Sequence, residues 1–418
     1  MKTNTILQGD SLEVLKTFDD DSIDLIASDP PYQLSNEREP TKGFMGKEWD
    51  VLPQVPLLKE CLRVLKAGAF SFWLMTPRQD SQAEFVIRLK QAGFNIGFTP
   101  IYWAYASGFP KAGNISKMVD KRMGVEFETK PAEGVGFMNE NDDGYNTTKN
   151  QMIRKGKMSD EAKALDGSYA GYQPKPSVEI IIVAMKPLSE KTYIDQALKN
   201  NKGITWLDDV RVPYESNDKP KEQTMPDLRD VGKKSKKLIG IDKLSFNQGI
   251  VAERLPYDSN TQGRFPANLL VSDDVLGNEF SRYFNLDKLP KAVKETFPFM
   301  IVPKANSGEK NDGLKGFEES YAPTMNEGIG GKEAQDIKKK NTHPTVKPTK
   351  LMEYLITLGS REGDLILDPF IGSGTTAIAS RILSRKFIGI EKDKEYHKIA
   401  VARIKEHLEQ RKLFETIK

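Results

Sequence analysis

Residues 23–32 read "IDLIASDPPY": a short apolar run that halts on an acid, two prolines and an aromatic. Apolar residues over that length suit a strand buried on both faces. Pro30 and Pro31 cannot donate to a ladder, so the strand has to end there. Proline also stiffens the backbone. The Asp29 carboxylate, the Pro30 carbonyl and the Tyr32 ring are therefore held in fixed relation at a strand end. Taken alone, Asp29-Pro30-Pro31 reads equally as a plain strand-terminating turn.

Working outward, residues 1–106 alternate strands with helices. "TILQG" reads as a strand and "DSLEVLKTF" as a helix capped by Asp10 or Ser11. "VPLLKECLRVLKAG" reads as a helix stopping at Gly68, and "AFSFWLMT" as a third strand. "RQDSQAEFVIRLKQAG" is a helix and "FNIGFTPIYWAYA" a long strand. Strands separated by helices of this length imply a parallel sheet with crossovers. From 107 to 177 the pattern dissolves into Gly, Asn, Asp and Lys, which reads as an insertion. "PSVEIIIVAMKPL" (residues 176–188) is a strand expected at the sheet edge, 178–188, in a hairpin with the 94–106 strand. Residues 189–340 have poor periodicity and read as a separate recognition module. Alternation returns over 341–418: helix "PTKLMEYLITLGS", with Pro348 suiting its first turn, strand "GDLILDPF", helix "TTAIASRILS", strand "KFIGIEKD" and a closing helix.

In "DPFIGSGTTA" Gly372 and Gly374 stand between a strand and a helix. Glycine there lets backbone approach a ligand closely, and a helix N-terminus offers free N–H groups and the positive dipole end. Glu391 follows Gly372 by 19 residues, the spacing at which an acid meets ribose hydroxyls in nucleotide folds. The dinucleotide fingerprint is satisfied by Gly372, Gly374 and Ala377. That reading leaves the acid–proline turn on another strand end unexplained.

Composition bounds the rest. The chain has 418 residues, 38% hydrophobic and 29% charged, with formal charge +3. This is the profile of an ordinary soluble chain, and no apolar run is long enough to span a membrane. "MKTNTILQGD" is too polar for a secretory leader, and a cytoplasmic location is expected. One cysteine (Cys61, in an amphipathic helix pattern) and three histidines exclude a disulfide framework and a cysteine-rich zinc site. "KKSKK" (233–237) and "DIKKKNTHP" (336–344) concentrate lysine and read either as solvated surface or as phosphate contacts.

Together "SDPPY" and "DPFIGSGTT" resemble the amino-group DNA methyltransferases that use S-adenosylmethionine. "HPTVKP" (343–348) is similar to the family motif packing beside the cofactor, and "QGDSLEVL" to the motif whose acid contacts its adenine. Catalytic motif first, recognition region in the middle and cofactor motif last is the order of the family's β group. The middle resembles modification methylases only loosely, through "GFMGKEWD" and "GRFPANLL". The resemblance implies an α/β fold, a doubly wound, mostly parallel Rossmann-like methyltransferase sheet with a large inserted target-recognition region. It assigns catalysis to Asp29, Pro30, Pro31 and Tyr32. Cofactor binding falls to Asp10, Asp29, His343, Thr345, Lys347, Asp368, Phe370, Gly372, Ser373, Gly374, Thr375, Thr376 and Glu391. No metal is implied. The implied partner is double-stranded DNA, and a homodimer and a cognate restriction endonuclease are open.

Adenine N6 is a poor nucleophile because its lone pair is delocalised into the ring. Two acceptors, the Asp29 carboxylate and the Pro30 carbonyl, would grip its hydrogens and aim the lone pair. Tyr32 offers a face for the flipped base. Several residues keep a plain alternative: Asp10 as helix cap, Glu391 as solvated strand end, His343 and Lys347 as loop, Phe370 as core plug, Trp49 and Asp50 as packing. Cytosine C5 methylation needs a cysteine nucleophile usually following proline, whereas Cys61 follows Glu60. Relatives acting on cytosine N4 tend to carry serine before the prolines, so Asp29 favours adenine. Protein-glutamine methylases carry Asn-Pro-Pro-Tyr and place the glycine motif earlier. RNA methylation and a catalytically silent DNA-binding module are the remaining alternatives.

Overall fold

Among the described residues the chain forms thirteen strands and ten α-helices. In the computed structural model, the described residues are 2–33, 49–105, 113–125, 128–131, 152–155, 158–171, 178–211, 265–271, 300–301, 304–314, 316–321, 338–343 and 345–416. The lysine run 233–237 lies outside them, whereas Lys338, Lys339 and Lys340 of the 336–344 run lie within them. By internal contacts the chain divides into two units. One comprises Met1–Ala106, Val178–Pro323 and Asp336–Lys418, the other Ser107–Ser177 and Thr324–Gln335.

In chain order the elements are β1 (Thr5–Gln8), α1 (Ser11–Leu15), β2 (Leu25–Ser28), α2 (Val55–Val64), β3 (Phe70–Met75), α3 (Gln79–Ala92) and β4 (Ile101–Ala104). Then come α4 (Ile115–Arg122), β5 (Glu128–Pro131), β6 (Met152–Lys155), α5 (Asp160–Ala164), β7 (Val178–Met185), α6 (Tyr193–Asn200) and β8 (Leu269–Val271). The remainder are β9 (Met300–Ile301), α7 (Ser307–Asn311), β10 (Ser320–Tyr321), β11 (Lys338–Lys339), α8 (Thr349–Gly359), β12 (Leu365–Asp368), α9 (Thr375–Ile382), β13 (Lys386–Glu391) and α10 (Lys394–Thr416).

The first unit is built on a nine-stranded sheet of order β1-β13-β12-β2-β3-β7-β4-β8-β9. Every pairing is parallel except the two made by β7, which runs against both β3 and β4. Alternate residues of each inner strand feed two cores, as a period of two requires. Ile26, Trp73 and Met75 join Leu58, Cys61, Phe85 and Leu89 from α2 and α3 on one face. Leu25, Phe72 and Leu74 join Leu351, Leu355 and Ile356 from α8 on the other. Helices on both faces of a mostly parallel sheet make this a doubly wound α/β fold. Its switch point falls between β12 and β2: the chain leaves β12 toward β13 and leaves β2 toward β3.

Four expectations are corrected. The 178–188 strand does hairpin with β4 but is no edge strand, because β3 covers its other side; its run Ile180–Val183 supplies apolar residues to both cores. The long strand expected over 94–106 is only Ile101–Ala104. Asn95 turns its side chain onto the Gly97 N–H, and Pro100 lacks a ladder donor. Leu269–Val271 and Met300–Ile301 extend the sheet as β8 and β9, so the middle region is not wholly separate from it. Pro348 sits at the cap of α8 rather than in its first turn, and Glu309 supplies the cap by accepting from the N–H and hydroxyl of Thr349, 2.6 Å each.

In the second unit, Asn114 caps α4 and Ser159 caps α5. Buried Asp120 accepts from the Ser159 N–H and hydroxyl, at 3.1 and 2.7 Å. β5 and β6 pair antiparallel. No helix among the described residues is long and apolar enough to cross a membrane.

Candidate active site

β13, β12 and β2 are parallel neighbours, so their carboxyl ends open on one edge of the sheet. Glu391 closes β13, Asp368 closes β12, and Ser28 closes β2 ahead of Asp29-Pro30-Pro31-Tyr32. The strand ends are tied directly. The Ser28 hydroxyl donates to Asp368 Oδ1 at 2.5 Å across 340 residues of chain. Asp368 also accepts from the Phe370 N–H (3.0 Å) and the Thr376 hydroxyl (2.5 Å). Its oxygens are thus spent inside the protein, locking two strand ends and the start of α9 together. Burial lifts its carboxyl to about 6, against the hydrogen bonds that oppose the rise.

The glycine turn follows. Gly372 (φ +50°) and Gly374 (φ +87°) take left-handed backbone, which costs an L side chain about 1–2 kcal/mol. A Cβ on Gly372 would meet His343 Nε2 at 2.6 Å; one on Gly374 would meet Ala400 Cα at 3.2 Å. His343 therefore packs on the turn itself. Its ring lies edge-on to Tyr396, centroids 4.6 Å apart, and its Nδ1 accepts from the Thr345 N–H at 3.3 Å. Burial, with Lys347 and Arg403 nearby, pushes His343 down to about 3, so the ring is neutral. Arg403, buried in α10, donates to the Ser373 carbonyl (2.6 Å) and hydroxyl (3.1 Å) and to the Glu309 carbonyl (3.1 Å). It reaches Thr375 Oγ1 at 3.5 Å. Glu391 accepts the Gly372 N–H at 2.9 Å and the Asp393 N–H at 2.8 Å. Burial raises it to about 7 in spite of those bonds.

Asp10 lies at the end of β1, beside β13. It caps α1 through the Leu12 N–H (3.1 Å) and pairs with Lys392 at 3.1 Å, so the capping alternative is realised. Ser11 donates to the Pro369 carbonyl at 2.5 Å and anchors α1 to the turn. Half-buried Phe370 packs on the same core as Tyr32. Trp49 joins a cluster with Leu314, Tyr396 and Ile399, while Asp50 accepts the Gln33 N–H at 2.8 Å and tethers the chain just after Tyr32.

At the other side of the switch point the catalytic candidates meet. The Tyr32 hydroxyl donates to Asp29 Oδ1 at 2.5 Å, and Lys347 Nζ lies 2.9 Å from Asp29 Oδ2 and 3.2 Å from the Tyr32 oxygen. The resemblance places Lys347 beside the cofactor; the structure sets its ammonium on the Asp29 carboxylate. Pro30 is buried and Pro31 half-buried. Burial raises Asp29, Lys347 opposes the rise and Glu179 adds to it. Burial alone would lower Lys347, but Asp29 and Glu179 outweigh it and hold the lysine above its ordinary value.

Glu179 is the residue that motif reading missed. It lies near the start of β7, opposite Trp103 of β4. Because β7 runs backwards, its amino end reaches the edge where the parallel strands finish. Glu179 Oε2 is 3.3 Å from Lys347 Nζ, an ion pair without well-aligned hydrogen-bond geometry. Its Oε1 accepts from Tyr105 at 3.5 Å, and Lys304 Nζ sits 3.6 Å from the centre of the Tyr105 ring. The one hint in sequence is a lone acid at the head of an apolar run.

The arrangement joins two sub-sites on one edge. One is a glycine cradle between His343, Glu391 and a helix N-terminus, where an added Cβ would intrude. The other is a carboxylate beside a stiff carbonyl and an aromatic ring. A nucleoside-bearing cofactor fits the first, and an amine on a planar base fits the second.

A family model described as DNA methylase matches residues 23–402. Over 62 residues the chain is 55% identical to Type II methyltransferase M2.DpnII of Streptococcus pneumoniae, 15% of this chain and 23% of that protein. Over 90 residues it is 43% identical to Type II methyltransferase M2.LlaDCHI of Lactococcus lactis subsp. cremoris, 19% of this chain and 34% of that protein. The matched stretches therefore span about a quarter and a third of those relatives. Among solved structures, PvuII DNA methyltransferase (cytosine-N4-specific) aligns with 96% of this chain and 86% of its own, at 16% identity and a TM-score of 0.43.

Proposed function

The chain belongs to the DNA methylase family, and on that premise we propose that it transfers a methyl group from S-adenosylmethionine to the N6 amine of a flipped adenine in duplex DNA. The observation that carries the reading is the bonded meeting of the two strand ends. Ser28 and Asp368 hold the Asp29–Tyr32 turn and the Gly372 turn side by side at the switch point.

His343, Glu391, the Gly372–Gly374 backbone and the start of α9 would hold the cofactor, with Glu391 taking ribose hydroxyls. S-adenosylmethionine supplies, when bound, an electrophilic methyl on a sulfonium. The rest is done by the chain. Asp29 and the Pro30 carbonyl accept the two amine hydrogens and aim the nitrogen lone pair, which proximity converts into rate. Tyr32 presents its face to the extruded base, a contact worth about 1–3 kcal/mol. On receiving the methyl from the sulfonium, which would leave as a neutral thioether, the amine nitrogen would become cationic. Asp29 then accepts its surplus proton. Asp29 rather than serine before the prolines supports adenine over cytosine N4.

Modification-sensitive long-read sequencing of DNA from cells expressing the protein tests this, with nucleoside analysis of DNA treated in vitro. N6-methyladenine at a fixed motif, lost in Asp29→Ala, is the expected result. N4-methylcytosine would replace the acceptor, and unmodified DNA would remove the reading. Self-association and a cognate restriction endonuclease belong to the same reading; sedimentation of the protein with and without duplex DNA, and cleavage of unmethylated against methylated host DNA, check them.

A further inference from the structure

The site edge carries two charges that the mechanism above does not use, Lys347 and Glu179. Lys347 is nearly buried, and two carboxylates share its ammonium: Asp29 at 2.9 Å and Glu179 at 3.3 Å. Asp29 has its other oxygen on the Tyr32 hydroxyl. Both Asp29 oxygens are thus engaged, Oδ1 by Tyr32 and Oδ2 by Lys347, and a lysine with this aspartate as its sole anion would hold it as a tight ion pair. That pair would compete with the acceptor amine for the oxygen the reaction needs.

We propose that Glu179 is a positioning residue for methyl transfer: Lys347 rests on Asp29 Oδ2 at 2.9 Å, and Glu179, 3.3 Å from the same ammonium, is the second anion onto which the lysine shifts when the acceptor amine takes its place on Asp29. The inference rests on the DNA methylation reading and assigns Glu179 no contact with substrate. No electrons move at Glu179. The surplus amine proton passes from nitrogen to Asp29 and then to solvent.

The groups around Asp29 come from every element packed against it. Tyr32 follows it on the same turn, Lys347 precedes α8, Glu179 is on β7, and Asp368 ends β12 and feels the Asp29 charge. Tyr105 faces Glu179 from just beyond β4, and Lys304 covers the Tyr105 ring. Of these, Lys347 draws Asp29 down and Glu179 lifts it. Removing either charge must therefore move Asp29 in opposite directions. A merely structural Glu179 would shift that midpoint without changing kcat.

The test uses the full chain in two arms. In protein carrying 13C-carboxyl aspartate, without DNA or cofactor, the Asp29 resonance is identified by its loss in Asp29→Asn and titrated. Isosteric Glu179→Gln is expected to lower its midpoint by about one pH unit, and Lys347→Met to raise it. In the methylation arm, Glu179→Gln is expected to lower kcat roughly tenfold with little change in KM for DNA. The acid limb of kcat should move down with the titration, and Glu179→Asp should recover part of the rate. An unmoved midpoint in Glu179→Gln, a shift in the same direction as Lys347→Met, or no rescue by Glu179→Asp overturns the proposal. The Glu179→Gln titration and its kcat decide together if Lys347→Met does not fold. Absence of methyl transfer by the wild-type protein would instead overturn the DNA methylation reading, and the titration arm would still report on Glu179.

Discussion

Replacing Gly372 by alanine strikes the cofactor cradle at its narrowest point. The backbone there has φ +50°, and the new Cβ would lie 2.6 Å from His343 Nε2 and 3.0 Å from Cε1. Left-handed backbone costs an L residue about 1–2 kcal/mol. The ring cannot yield freely, because Nδ1 holds the Thr345 N–H and Tyr396 packs against it. Freeing it forfeits a hydrogen bond worth about 0.5–1.5 kcal/mol. The sum is about 2 kcal/mol, taken as lost stability if the turn keeps its shape. If the turn flips instead, its N–H leaves Glu391 and cofactor binding weakens roughly 30-fold. Urea unfolding and calorimetric titration with S-adenosylmethionine separate the two outcomes. The His343→Ala background supplies a cycle: removing the ring relieves the contact but not the φ penalty, so the double variant should recover part of the single loss. Wild-type stability and affinity in Gly372→Ala, or no coupling to His343, would refute the reasoning.

Three further outcomes follow from the same contacts. Arg403→Met orphans the buried Ser373 carbonyl and the part-buried Glu309 carbonyl, at roughly 1–3 kcal/mol for the first and less for the second, so urea unfolding should show a loss of about 2–3 kcal/mol. Arg403→Lys should recover little, because a point charge cannot reach both carbonyls. His343 titrates at about 3 in the folded protein against an ordinary 6.5, so the unfolded chain binds the proton first. Its contribution is complete above pH 6.5 and falls as pH drops toward 3. Between pH 7.5 and 5 the wild type should lose about 2 kcal/mol more than His343→Gln in paired urea titrations; Asp368 and Glu391, raised in the fold, act with the opposite sign in both proteins. Tyr32→Phe keeps the ring and loses only its hydroxyl contacts with Asp29 and Lys347. Its kcat/KM should fall by no more than about tenfold, against roughly 5- to 150-fold for Tyr32→Ala, which loses the stacking face. Equal losses would show that the hydroxyl, not the face, matters.

Much of the architecture was legible because strand, turn and cap are local. Pro30 and Pro31 end β2 by lacking donors, and Gly372 and Gly374 mark left-handed backbone wherever they fall in space. The alternation of "DLIAS", "AFSFWLMT" and "LILD" with amphipathic segments announced parallel strands joined by helices. The errors arose where a neighbour overrode local pattern. An apolar run such as Ile180–Val183 looks the same at an edge or inside a sheet, and only the pairing with β3 decides. Pro348 resembles a first-turn residue until Glu309, from 40 residues away, supplies the cap.

The amino-acid sequence by itself therefore determined the two strand-end turns, their residue types and their order along the chain. Tertiary structure alone decided that Ser28 bonds Asp368, that Lys347 rests on Asp29, that Arg403 grips the Ser373 carbonyl and that reversed β7 brings Glu179 to the same edge. The reason is physical: propensity and backbone chemistry act within a few residues. A buried charge acquires its partner only when sheet order and strand direction bring distant segments within bonding distance.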